Sequence, residues 1–250
     1  MLINVINPHI LAVKQNVRKP HIMNEATDTT ALRKEPTQQR SRERVERMLV
    51  AARDLIAEHG SDAMKMGEVA ERAGVSIGSL YQFFPDKSAI IRALAERYNA
   101  EGQTCIDAAL LGVRTQDELL AAFSELIDIY YGIWLAEPAM RDIWSGTQAD
   151  KTLRALELAD GRASAETLVR TWQRLRPDAD LDALSSTAFL IWQLGEATMR
   201  LAISVGRPEG DRLVEVYKRM ALRELGALPS LLVGEGVAPK SRSDGGNGDG

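Results

Sequence analysis

The chain has 250 residues, 45% apolar and 26% charged, a composition that supports a substantial core and one to two domains. Lysine and arginine number 31 against 35 acidic residues, a formal charge of −4, which excludes bulk attraction to a polyanion as the sole basis of nucleic-acid binding. The single cysteine, Cys105, excludes an intramolecular disulfide framework and a cysteine-rich zinc site, and reads as a buried thiol in a reducing compartment.

Residues 1–36 mix proline, asparagine, threonine and charges without helical period, and are expected to be a disordered leader, or translation upstream of a start at Met23. Met1 to Val13 is apolar-leaning, but Asn4, Asn7, Pro8 and His9 break it and no basic residue precedes it, the wrong order for a signal peptide. No spanning helix is expected, since the most apolar run, Leu126 to Ala136, is cut by Asp128 and Gly132. These readings place the protein in the cytoplasm, with no membrane partner. Residues 37–98 hold 10 basic and 9 acidic groups, and residues 99–228 hold 14 and 20, so charge is sorted along the chain and suggests two jobs.

From residue 40 to 228 apolar positions recur at three and four, the helical period. A first helix with Val45, Met48, Leu49, Ala52, Leu55 and Ile56 on one face is predicted to end near Glu58, where His59 and Gly60 supply a cation and a glycine stop. A short second helix turns Met66, Val69, Ala70 and Ala73 inward. Gly74 stops it, Val75 plugs the turn, and Ser76 is placed to cap a third helix that runs to about Phe83. Pro85 blocks continuation and Asp86 can cap a fourth helix, whose stripe of Ile91, Leu94, Ala95, Tyr98, Cys105 and Ile106 predicts a long element reaching Leu111. Further helices are predicted at about Gln116 to Ala136, Pro138 to Gln148, Asp150 to Arg176, Asp180 to Ser204 and Pro208 to Leu228. Residues 229–250 turn to proline, glycine, serine and aspartate and are expected to be a disordered tail.

Gly67 to Phe84 therefore reads as helix, tight glycine turn, helix, which is helix-turn-helix grammar. Leu80 and Phe84, four apart, anchor the second of these helices, leaving Ile77, Gly78, Ser79, Tyr81 and Gln82 to an outside partner. Small N-terminal residues admit such a helix deep into a major groove. There Gln82 could pair with adenine, Ile77 touch a thymine methyl, Tyr81 donate to phosphate, and Gly78 let the backbone approach closely. Lys87, a cation at a helix start beside free N–H groups, suits a phosphate. Arg40, Arg42 and Arg44, interleaved with Glu43 and Glu46, fit either a solvated face or phosphate contact.

The run Gly74-Val-Ser-x-Gly-Ser-Leu-Tyr-x-x-Phe84-x-x-Lys87, following an arginine-rich amphipathic helix, resembles the DNA-binding domain of the TetR (tetracycline-repressor) family over roughly residues 40–98. The resemblance implies an operator-reading third helix, phosphate contacts from Tyr81 and Lys87, and a variable all-helical domain that binds a small inducer and dimerises. One departure is Lys65, where members usually carry a capping threonine. Ser61 or Asp62 could cap instead, and Lys65 could meet phosphate.

All four tryptophans, Trp134, Trp144, Trp172 and Trp192, follow residue 130, with Phe123, Tyr130, Tyr131 and Met140 nearby. They suit either core or a cavity for a small apolar or aromatic inducer. His9, His21 and His59 all precede that region, leaving no imidazole for a metal or a triad, and carboxylates such as Asp128, Asp142 and Glu196 fit either an ordinary surface or helix-pair role or ionisable contact with an inducer. Leu181, Ala188, Gly195 and Ala202 recur every seven residues and, with Leu213, Tyr217 and Met220, predict a close-packed helical dimer interface or plain intrachain packing.

The expected architecture is all-α. A leader (1–36) precedes a three-helix DNA-binding domain (37–86), a helical ligand-binding and dimerisation domain (87–228) and a tail (229–250). The expected protein is a cofactor-free homodimeric repressor that binds a palindromic duplex operator. The alternatives are a nonspecific architectural DNA binder and an enzyme using the helical pocket, although no nucleophile–base spacing, glycine-rich phosphate loop or metal-ligand cluster supports the latter.

Overall fold

The computed structural model describes residues 31–146, 150–177 and 180–231. Among them are nine α-helices and no strand: α1 (Ala31–His59), α2 (Met66–Ala73), α3 (Ile77–Phe83), α4 (Lys87–Leu110), α5 (Gln116–Ala136), α6 (Pro138–Gly146), α7 (Lys151–Leu175), α8 (Leu181–Ser204) and α9 (Arg207–Leu231). Local chemistry sets most starts. Ser76, Asp86, Thr115, Asp150 and Asp180 each accept a hydrogen bond from an otherwise unpaired N–H in the first turn of the helix that follows.

Two expected boundaries are corrected. The first helix begins at Ala31, inside the expected leader, and carries Pro36 as its sixth residue, where the fixed φ is helical and the missing N–H costs one backbone bond. The last helix runs to Leu231, past Pro229, whose missing N–H costs one backbone bond only in the final turn. The rest of the expected leader (1–30) and tail (232–250), and the Gln148 end of the sixth helix, lie outside the described residues.

Helices α1–α3 close around Met48, Ala52, Ile56, Val69 and Leu80, all nearly or fully inaccessible. A bidentate pair between Arg72 and Glu58 (2.7 and 2.9 Å) ties α2 to α1 across the surface. The larger body stacks α4 on α7, α7 on α8 and α8 on α9, with α5 inserted against α4, α8 and α9. By length and composition α5 could cross a membrane, which the interruptions at Asp128 and Gly132 did not predict. In the fold it is a core helix that buries Leu119, Phe123, Leu126, Ile127 and Trp134, and Asp128 pairs with Lys218 on α9 at 2.6 Å.

The expected dimer seam is mostly internal. Ala188, Gly195 and Ala202 are buried within the chain, where Tyr217 of α9 lies so close that its hydroxyl would stand 2.8 Å from a Cβ at Gly195 and donates to the Ile191 carbonyl at 2.8 Å. Small residues on α8 thus admit the chain's own α9, and Leu213 is half-buried beside it. The outward faces instead carry Leu181, Leu190, Leu194 and Leu201 on α8, and Val216 and Met220 on α9, each more than two-fifths exposed.

Candidate nucleic-acid interface and ligand cavity

The helix-turn-helix is built on a turn that only one residue type adopts readily. Gly74 sits at φ +65°, Val75 N–H donates to the Ala70 carbonyl at 3.0 Å, and Gly74 N–H donates to Glu71 at 3.1 Å, a paired closure of the α2 C-terminus. Ser76 follows in extended conformation, and its hydroxyl accepts from Ser79 N–H at 3.1 Å, fixing where α3 starts. Leu80 is fully buried, Phe84 nearly so, and the opposite face shows Ile77, Gly78, Tyr81 and Gln82 to solvent, with Ile77 45% and Tyr81 49% exposed. Two large side chains, one aliphatic and one aromatic, are thereby held outward on a helix whose own anchor is rigid.

Cations frame that face. Arg44 on α1 donates to the Ser79 hydroxyl at 3.4 Å, Arg47 donates to the Ala73 carbonyl at 3.3 Å, and Arg40 is exposed one turn before Arg44. Lys87 opens α4 and donates to the Asp62 carbonyl at 2.9 Å, which places its ammonium between the two ends of the motif. Neither Ser61 nor Asp62 caps α2: the cap residue is Lys65 itself, without a side-chain cap bond, its ammonium 3.7 Å from Glu68 and largely exposed. Ser61 is instead tied elsewhere, its N–H donating to Asp142 on α6 at 2.9 Å beside Gly60, which adopts φ +83°.

The body contains a cavity of about 100 Å³ between α4, α5, α6, α7, α8 and α9. Of the aromatic residues expected around a ligand, Phe123, Tyr130, Trp144 and Trp192 line it, with Phe123 and Trp192 edge-to-face at 6.3 Å between centroids. Tyr131, Trp134 and Trp172 do not. Trp134 and Trp172 are core side chains with no appreciable exposure, and Tyr131 turns to α9, where its hydroxyl donates to Asp211 at 2.9 Å under the Arg207 guanidinium. Indoles of equal size thus divide between core and cavity according to which helices flank them.

Of the expected carboxylates, Glu196 lines the cavity, while Asp128 pairs with Lys218 and Asp142 holds Ser61. Glu157, Asp160 and Ser164 on α7 also line it, as do Tyr98, Asn99 and Cys105 on α4. The α7 group carries a sequence signal, since 157, 160 and 164 share the helix face of buried Leu153 and Leu168. Glu157 is bound by Arg200 at 2.6 Å. Glu196, almost wholly buried, accepts from the Tyr130 hydroxyl at 2.6 Å, and its burial pushes its carboxyl up to about 7, against the smaller opposing effect of that hydrogen bond. Burial likewise raises Asp160 to about 6 and lifts the Cys105 thiol, so Cys105 is a shielded thiol.

Comparison with known proteins agrees with this two-part layout. The profile described as "Bacterial regulatory proteins, tetR family" matches residues 48–94, and "Tetracyclin repressor-like, C-terminal domain" matches residues 117–228. The HTH-type transcriptional repressor KstR of Mycolicibacterium smegmatis is 38% identical over 72 residues, 28% of this chain and 35% of the repressor. KstR of Rhodococcus jostii is 41% identical over 66 residues, 25% of this chain and 31% of that protein, so the matches span about a third of either repressor. Among solved structures, a TetR-family transcriptional regulator from Streptomyces coelicolor superposes with a TM-score of 0.57 at 28% identity, covering 75% of this chain and 98% of that one. RolR in complex with resorcinol shares the fold at a TM-score of 0.53 and 21% identity, covering 76% and 90%. Together the two profiles account for more than half of the sequence, and the turn, the exposed α3 face and the helical body fall where they match: the chain belongs to the TetR family of bacterial transcriptional regulators.

Proposed function

We propose that the protein is a homodimeric, sequence-specific repressor of the bacterial cytoplasm whose DNA affinity falls when a small molecule occupies the body cavity. The observation that carries this reading is the α3 face: Ile77, Gly78, Tyr81 and Gln82 outward, with Leu80 fully buried beneath them. Gln82 reads a base edge, Ile77 meets a thymine methyl, and Ser76 and Ser79 keep the helix start narrow enough to enter the groove. Tyr81, Arg40, Arg44, Lys65 and Lys87 hold phosphates and set register. The exposed leucines of α8, with Val216 and Met220 of α9, pair two copies around a two-fold axis. The two α3 helices then meet major grooves about 34 to 36 Å apart.

Two connections couple cavity to head. Helix α4 lines the cavity through Tyr98 and Cys105, and its Arg97 binds Glu46 of α1 at 2.8 Å. Helix α6 lines it through Met140 and Trp144, and its Asp142 holds the Ser61 N–H. A ligand that shifts either helix changes the spacing of the two reading heads. A coupling of about 1 to 3 kcal/mol lowers DNA affinity roughly 5- to 150-fold. The resorcinol complex of RolR supports a small-molecule ligand in a body of this fold, and the KstR matches support repression.

Selection of duplexes from a randomised library, followed by sequencing, tests the reading. Enrichment of an inverted repeat with half-site centres one helical turn apart, or a multiple of it, is expected. Recovery of unenriched sequence would mark a nonspecific architectural binder instead.

A further inference from the structure

The cavity is unusual in the sign of its polar groups. Glu157 and Asp160 from α7 and Glu196 from α8 bring three carboxyls to one space, and none of the lining residues is lysine, arginine or histidine. Only Glu157 is ion-paired, to Arg200, whose charge also acts at longer range on Glu196. Glu196 has a phenol hydroxyl, and Asp160 has neither a hydrogen bond nor an ion pair to a described residue. Among the described residues no group of three or more His, Cys, Asp or Glu has the arrangement of a metal site. Two further wall groups, the Tyr98 hydroxyl and the Asn99 amide nitrogen, are buried without a partner.

We propose that the ligand of this cavity is an amphipathic organic cation, an ammonium carried on an aromatic or branched apolar body, whose charge is received between Asp160 and Glu196 and against the faces of Trp144 and Trp192. This rests on reading the cavity as the effector site. An ammonium supplies Asp160 with a counter-charge and Glu196 with one of its own, the Arg200 guanidinium near Glu196 being paired to Glu157, and indole faces attract cations electrostatically. An anionic ligand would meet like charge, and a plain hydrocarbon would leave the buried polar groups unpaired. Cation entry also favours the ionised carboxyls over the protonated forms that burial imposes, so binding should release protons near neutral pH.

The test is a titration of the full chain, followed by tryptophan fluorescence, with phenyltrimethylammonium, its neutral isostere tert-butylbenzene, and benzoate. The expected result is that the cation binds at least about tenfold more tightly than the isostere, with benzoate weakest. In the double variant Asp160→Asn, Glu196→Gln that preference should fall to about twofold or less. Glu196→Gln alone should reduce it partway, and serves if the double variant loses its helical circular dichroism. Equal or tighter binding of tert-butylbenzene overturns the cation assignment while leaving the effector cavity standing. Binding of none of the three overturns both, and a preference that survives the substitutions overturns the assignment to these carboxyls.

Discussion

In the head, α3 buries its apolar anchor Leu80 and turns Gly78 and Gln82 outward together with the larger Ile77 and Tyr81; around the cavity, α7 and α8 turn Glu157, Asp160, Ser164 and Glu196 inward and leave leucines on the outside. The head keeps a wholly apolar anchor beneath its outward face, whose side chains are therefore free to be chosen for a partner. The body instead sets carboxyls inward at its cavity and leucines outward on its outer face. Inward carboxyls cost desolvation that a rigid apolar core would avoid, and outward leucines leave apolar area in water. Under the proposed function a partner accounts for each, a ligand on the inside and a second copy on the outside. On that reading DNA recognition rests on stability beneath it, whereas the ligand site is itself a departure from stability.

The sharpest way to break this contrast is Leu80→Ala. Truncating a fully buried leucine should cost about 2 to 5 kcal/mol and release α3, measured by urea unfolding, whereas Tyr81→Ala, 49% exposed, should leave stability within about 0.5 kcal/mol while weakening DNA binding. Equal costs at the two positions would mean that the reading helix is not held as described. Next in size is Glu196→Gln. The native carboxyl stays protonated up to about 7, well above its ordinary 4.5, so the unfolded state gives up its proton first as pH rises between those values. Stability should fall over that interval by roughly 3 kcal/mol relative to the Gln variant, with the two converging below it. Parallel thermal-melting curves across pH 4 to 8 would show that the body pays no such penalty, and the contrast with the head would lose its energetic basis.

Smaller effects sharpen the head alone. Gln82→Ala should relax selectivity at one base position by about 1 to 3 kcal/mol, and an unchanged site preference in a competition assay would remove Gln82 from base readout. Lys65→Thr introduces the missing cap on α2, where the backbone already has the extended φ of −115° and ψ of 141° a cap requires. It should stabilise the head by about 1 kcal/mol while lowering DNA affinity through the lost charge; a stabilised head with undiminished affinity would take Lys65 off the phosphate backbone.

The same contrast explains what could be read from the amino-acid order. The glycine turn, the Ser76 cap and the Leu80 anchor depend on neighbours three to five residues away, and each was visible as a spacing. The cavity wall depends on which of six helices meet. Trp144 and Trp192 line it while Trp134 and Trp172 fill core, and nothing in the spacing of four indoles separates the pairs. The seven-residue stripe of Ala188, Gly195 and Ala202 was legible as a close helix approach, but not which helix comes near. It is the chain's own α9, and the outward leucines at 190, 194 and 201 were missed because apolar residues on a long helix read first as core. The polar strip on α7 was available at helical spacing, though only packing shows that it faces a void.

The most direct test of the central claim is fluorescence anisotropy of the full chain on a labelled duplex from upstream of its own gene, at fixed salt, titrated with unlabelled random duplex. The account predicts a complex that withstands about a hundredfold excess of random competitor and is lost when Tyr81 and Gln82 are both changed to alanine. Displacement by random duplex in simple proportion to its mass, unaltered by those two substitutions, would contradict the assignment of α3 as a sequence-reading helix.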